Sequence, residues 1–81
     1  MELRGLKYFL MVAREENISK AAALLHVTQP TLSRQLMQLE DELGAPLFVR
    51  QRTGVCLSPA GRALEQMAPA YLRQTETIRA E

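Results

Sequence analysis

Eighty-one residues, 47% of them apolar, make one small domain. At that size a single core is marginal without a disulfide, a metal or a second subunit. The lone Cys56 and lone His26 provide neither an internal disulfide nor a structural zinc set, so no metal and no cofactor are expected. Stability then has to come from helix packing, with a second copy of the chain as a natural contributor. No apolar run approaches the ~20 residues of a membrane span, and the start "MELRGLKYFL" lacks the order of a signal peptide. A cytoplasmic location with no membrane partner is therefore the default. Net charge is only +1, but its distribution is uneven. Acids gather at Glu15-Glu16 and Glu40-Asp41-Glu42, whereas Asn17–Leu39 and Leu43–Leu64 carry Lys20, Arg34, Arg50, Arg52 and Arg62 and no acid. Two segments of this chain can thus meet an anionic partner together.

The first pattern runs from about Leu3 to Glu16. Leu3, Leu6, Phe9, Leu10 and Ala13 recur at spacings of three and four, which predicts one apolar helix face. A shorter helix is expected from Ser19, taken as its cap, to His26. The small residues Ala21-Ala22-Ala23 invite close approach of another helix. Thr28 is the expected cap of a third helix, with Pro30 in the first turn, where a missing amide costs nothing. Leu32, Leu36, Leu39 and Leu43 form its core stripe, and Arg34 points about 200° away from Leu32. Pro30, Ser33 and Met37 share that outward half, with Thr31 and Gln38 on its other flank, and Gly44 ends the helix as a left-handed cap.

"PLFVR" and "VCLS", separated by "QRTG", read as a small hairpin with Arg50 and Arg52 at or near its tip. Ser58-Pro59 starts a last helix whose Leu64, Met67, Tyr71 and Ile78 lie close to heptad spacing. Pro69 falls inside it and removes the amide that would bond Glu65, so a kink or a break is expected there.

A short helix, a tight turn, a second helix with a polar start and a following hairpin describe a winged helix-turn-helix. The fold class is mainly α: a three-helix core plus a two-stranded wing, then a linker helix. At "LKYFLMVARE", "SKAAALLHVTQPTLSRQLMQLEDELGAPLFVR" and "GVCLSPAGRAL" the sequence resembles the LysR-type transcriptional regulators over essentially its whole length. The resemblance implies a DNA-binding domain over residues 1–58, with the helix-turn-helix at about 18–37 and the wing at about 46–58. Residues 59–81 would be a linker and dimerisation helix. The implied action is regulation of bacterial transcription by a dimer on double-stranded DNA bearing an interrupted palindrome. The third helix would sit in the major groove and the wing at the minor groove. A tetramer is open to the full-length protein. Family chains continue into an effector-sensing domain, so a small-molecule effector is expected to act only through a domain absent from these residues.

Residue chemistry suits that role. Gln29 matches an adenine edge and Arg34 a guanine edge, while Ser33 offers a hydroxyl and Thr31 a hydroxyl and a methyl. Pro30 compacts the helix start that approaches the bases. Ser19, Lys20, Thr28 and Gln38 are expected at the DNA backbone, which fixes register. Arg50 and Arg52 suit a narrowed minor groove, although which of them enters it is left open. Leu64, Met67, Tyr71 and Ile78 are the expected dimer residues. The acids at 40–42 are expected to project away from the duplex. The competing reading is a winged-helix module for protein contacts or dimerisation without specific DNA binding, which calls for an apolar outward face on the third helix. An enzyme is not expected: there is no glycine-rich phosphate loop, and Cys56 and His26 have no third partner at a recognisable spacing.

Overall fold

In the computed structural model, four helices and one hairpin follow in the order α1 (Leu3–Glu15), α2 (Ile18–Leu25), α3 (Gln29–Leu43), β1 (Phe48–Gln51), β2 (Gly54–Leu57) and α4 (Pro59–Ala80). The structure describes the backbone of residues 2–80 and the side chains of residues 2–73. The three-helix core with a two-stranded antiparallel wing and a following helix is the architecture expected from the sequence.

Leu6, Phe9 and Val12 of α1, Ala21 and Ala22 of α2, and Leu32, Leu36 and Leu39 of α3 form the core, closed by Leu47, Val55, Leu64 and Ala68. On α1 the buried centre is Leu6–Phe9–Val12, and the expected Leu3, Leu10 and Ala13 lie half-buried at its flanks. On α3 the stripe ends earlier than its spacing suggested. Leu43 is 43% exposed, because Gly44 turns the chain away in a left-handed conformation (φ 73°) one residue later.

The junctions carry most of the local detail. Asn17, not Ser19, caps α2: its side chain accepts from Lys20 N at 2.9 Å, which starts the helix at Ile18. Thr28 caps α3 as expected, accepting from Thr31 N at 3.3 Å. Between α2 and α3 the turn is closed by His26 in a left-handed conformation (φ 60°), with Val27 N donating to Ala22 O at 3.0 Å.

The hairpin pairs Phe48 with Leu57, Val49 with Cys56, Arg50 with Val55 and Gln51 with Gly54. Phe48 packs against Phe9 with ring centroids 5.3 Å apart and the planes tilted by 46°. At its other end, Val55 N donates to Glu16 O at 3.1 Å. Gly54 (φ 150°) makes that approach feasible, since a Cβ there would sit 2.2 Å from Glu16 O.

Ser58 is buried and starts α4 by accepting from Gly61 N at 3.0 Å. A kink or a break was expected at Pro69; the helix continues through it, so there is no break. Glu65 and Pro69 are both exposed, so the proline lies on the solvent side of the helix, where water can substitute for the missing amide.

Candidate nucleic-acid interface

The amino end of α3 presents its polar residues as a surface. Gln29, Pro30 and Arg34 are exposed, Thr31 and Ser33 are half-buried, and Leu32 is fully buried on the opposite face. Pro30, Ser33, Arg34 and Met37 follow at intervals of three, one and three residues, one stripe along the outward side. Met37 is 61% exposed. The helix is held rigid from behind by the leucines, so this stripe is presented on a fixed element.

Two side-chain hydrogen bonds organise the start of α3. Ser19 Oγ, on α2, donates to Gln29 Oε1 at 3.2 Å. Thr28 Oγ1 donates to Thr31 Oγ1 at 2.8 Å while accepting from the Thr31 amide. The hydroxyl of Thr28 is thereby committed to the cap, whereas Thr31 keeps its own hydrogen for an outside acceptor.

Lys20 lies one residue beyond Ser19. Its Nζ is 3.3 Å from Glu15 Oε1, and Arg14 Nε donates to Glu15 Oε2 at 2.9 Å. Glu15 is therefore not a free solvated charge of α1. Its side chain is 13% exposed, held between two cations that are themselves mostly in solvent. The hydrogen bond from Arg14 is the main force lowering the Glu15 pKa. Desolvation opposes it, and Lys20 adds to the lowering.

The wing separates its two arginines. Arg50 stands opposite the buried Val55 on the inner face of the hairpin and lines a cleft of about 150 Å³ with Ser33, Met37, Glu40 and Phe48. Arg52 sits in the two-residue turn between the strands and is exposed. The structure thus brings Arg50 beside α3 and leaves Arg52 at the tip. Gln38 is not with this group. It lies on the flank of α3 toward α1, in a crevice with Glu2 and Gly5.

Of the acids at 40–42, Asp41 and Glu42 are exposed, but Glu40 turns inward. Its Oε2 accepts from Leu47 N at 2.6 Å, so it ties the end of α3 to the entry of the wing and is not simply an acid pointing away. On α4, Leu64 is buried in the core of its own chain, while Met67 (66%) and Tyr71 (37%) are exposed at an i, i+4 spacing on the outer side. Ile78 lies in α4, but its side chain is outside the described residues. Among the described residues, no group of His, Cys, Asp and Glu is arranged to hold a metal ion, and no helix is long and apolar enough to cross a membrane.

Sequence reasoning missed the inward role of Glu40, the close approach at Gly54 and the link from Ser19 to Gln29. Only Gly54 left a signal, as a glycine in a turn; the other two depend on packing between elements.

The arrangement matches known proteins over nearly its full length. The chain is 46% identical over 79 residues to the Hca operon transcriptional activator HcaR of Escherichia coli, covering 98% of this chain and 27% of that protein. A DNA complex of the BenM DNA-binding domain at catB site 1 superposes with a TM-score of 0.87 at 40% identity, covering 99% of this chain and 86% of that one. DarR of Vibrio fischeri, solved with DNA, superposes with a TM-score of 0.91 at 36% identity, covering 99% of this chain and 27% of that one. This chain therefore spans about a quarter of the length of HcaR and DarR. The family model for bacterial regulatory helix-turn-helix proteins of the lysR type matches residues 3–62, and the chain belongs to that family.

Proposed function

We propose that this chain binds double-stranded DNA in a sequence-specific manner for the regulation of bacterial transcription, as a dimer. The observation that carries this reading is the split face of α3, with Leu32, Leu36 and Leu39 buried behind and Gln29, Pro30 and Arg34 exposed in front. The solved relatives in complex with DNA support it. In this reading α3 enters the major groove. Gln29 and Arg34 read base edges, Thr31 and Ser33 add hydroxyl contacts, and Ser33 with Arg50 meets the adjoining backbone from the cleft. Arg52, at the wing tip, is the arginine that reaches the minor groove. Lys20 contacts phosphate. Met67 and Tyr71 contribute to the dimer contact. In this reading the chain is a cytoplasmic binding protein and not an enzyme.

Selection of binding sites from random duplexes tests the reading. The expected product is an interrupted palindrome, with half-sites spaced to match two-fold symmetry and affinity falling steeply with salt. Retention that is weak and indifferent to sequence would sink it.

A further inference from the structure

We infer that Ser19 is a positioning residue for base reading: its hydroxyl orients the Gln29 side chain and so sharpens the base preference that Gln29 confers. This rests on the DNA-binding reading above and extends it to a residue on the preceding helix.

The argument begins with the cap of α2. A serine at the N-cap of a helix satisfies one of the orphan amides. Here Asn17 already does so, accepting from Lys20 N at 2.9 Å. Ser19 is therefore not needed for the helix start, and its hydroxyl is directed across the turn. The left-handed His26 folds α3 back against α2, which places Ser19 Oγ 3.2 Å from Gln29 Oε1. Ten residues separate the two in sequence, so neither helix alone produces this contact.

A glutamine side chain has three rotatable bonds and a terminal amide that reads an adenine edge only when both its oxygen and its nitrogen face the base. Gln29 is exposed, so nothing else around it confines those torsions by burial. The bond from Ser19 uses one lone pair of Oε1. It leaves the second lone pair and both amide hydrogens available, an acceptor and a donor side by side. On the free surface water competes with such a bond. When the groove closes over it the water leaves and the bond strengthens. Orientation fixed before contact also reduces the side-chain entropy lost on binding. The neighbouring Thr28–Thr31 bond, at 2.8 Å, steadies the next reading residue within the same turn. A phosphate-contacting serine, by contrast, would weaken all duplexes alike.

The test uses the intact chain and a duplex set centred on the selected site, with each base pair of one half-site varied in turn. Gln29→Ala first identifies the position whose preference depends on Gln29. Ser19→Ala is expected to reduce discrimination at that same position by roughly three- to tenfold, the range of one neutral hydrogen bond, and to leave discrimination elsewhere unchanged. Ser19→Thr, which retains the hydroxyl, is expected to preserve it. In a Gln29→Ala background, Ser19→Ala is expected to add nothing. Equal weakening of every duplex by Ser19→Ala, no change at the Gln29-dependent position, or an undiminished effect in the Gln29→Ala background would each overturn the inference while leaving DNA binding intact. A parent protein that shows no base preference at all would overturn both.

Discussion

The carboxylate of Glu40 accepts the backbone amide of Leu47 at 2.6 Å, joining the last turn of α3 to the first residues of the wing. Leu47 is buried, and its own carbonyl accepts from Ser58 N at 2.9 Å. The Ser58 hydroxyl then donates to Pro46 O at 2.6 Å and accepts from Gly61 N. One short segment, 46–47, is thereby tied to α3 on one side and α4 on the other. This chain of bonds contributes to the orientation of the wing relative to α3, together with the Phe9–Phe48 contact and the Val55–Glu16 bond.

Replacing Glu40 by alanine is expected to cost about 1–3 kcal/mol, because it strands the buried-side amide of Leu47. For a domain of this size each kcal/mol lowers Tm by roughly 4–8 °C. Glu40→Gln keeps an acceptor without the charge and is expected to lose less than Glu40→Ala, about half as much. Thermal unfolding followed by circular dichroism measures both. Equal Tm values for parent and Glu40→Ala would show that water replaces the carboxylate at no cost.

Gly54→Ala is expected to destabilise by more than about 2 kcal/mol, since a bulky substituent at a special backbone position is among the mechanisms that give large effects. The new methyl would sit 2.2 Å from Glu16 O, at a φ of 150°. Backbone, not a flexible side-chain end, stands in its way. Urea unfolding gives the stability directly, and a variant as stable as the parent would mean that the hairpin detaches from the α1–α2 turn without penalty.

Glu15 links pH to both stability and binding. Its pKa is lowered, first by the Arg14 hydrogen bond and further by Lys20. A carboxylate with a depressed folded-state value stabilises the protein above the ordinary glutamate pKa, and that contribution disappears as pH falls through the lower folded value. The stability difference between parent and Glu15→Gln is therefore expected at neutral pH and should vanish in the acid range just below the ordinary glutamate value. The same substitution releases Lys20 from its 3.3 Å partner. Duplex affinity should rise a few-fold at low salt, equally for all sequences, and converge with the parent as salt increases. Fluorescence anisotropy across a salt series reads this, and unchanged affinity at low salt would show that Glu15 does not compete with phosphate for Lys20.

Arg34 and Lys20 should separate into different roles. Arg34→Ala is expected to lose about 1–3 kcal/mol of discrimination at one guanine position. Lys20→Ala should weaken all duplexes together and reduce the salt slope by about 1. Matching losses of specificity from the two variants would contradict this division.

The exposed pair on α4 predicts self-association. Met67→Lys is expected to shift the monomer–dimer balance toward monomer at a given concentration, without lowering the stability of the domain, because Met67 is 66% exposed. Leu64→Ala should instead destabilise the fold itself by about 2–4 kcal/mol, as a buried leucine does. Sedimentation at several concentrations distinguishes them, and an unchanged dimer in Met67→Lys would place the contact elsewhere.

Much of this protein was legible in its sequence because the signals are local. Leucine spacing gave α3 its buried face, Thr28 and Pro30 marked its start, Gly44 its end, and Ser58-Pro59 the start of α4. The placement of Gln29, Pro30, Ser33 and Arg34 away from the buried leucines was legible for the same reason, because the helix period is known. What sequence periodicity could not determine is which polar groups turn toward one another across elements. Ser19 was taken as a cap because serine in a first turn commonly is one, yet Asn17 sits two residues earlier and reaches the Lys20 amide. Glu40 looked like one acid among three projecting from the third helix, but only the return of the chain at 46–47 gives it an amide to accept from. Arg50 and Arg52 were equivalent as letters. The hairpin register then put one opposite Val55, facing α3, and the other in the turn. Apolar burial has a period that a sequence displays; a hydrogen bond between distant residues depends on a few ångströms of tertiary geometry, which only the packed helices and wing define.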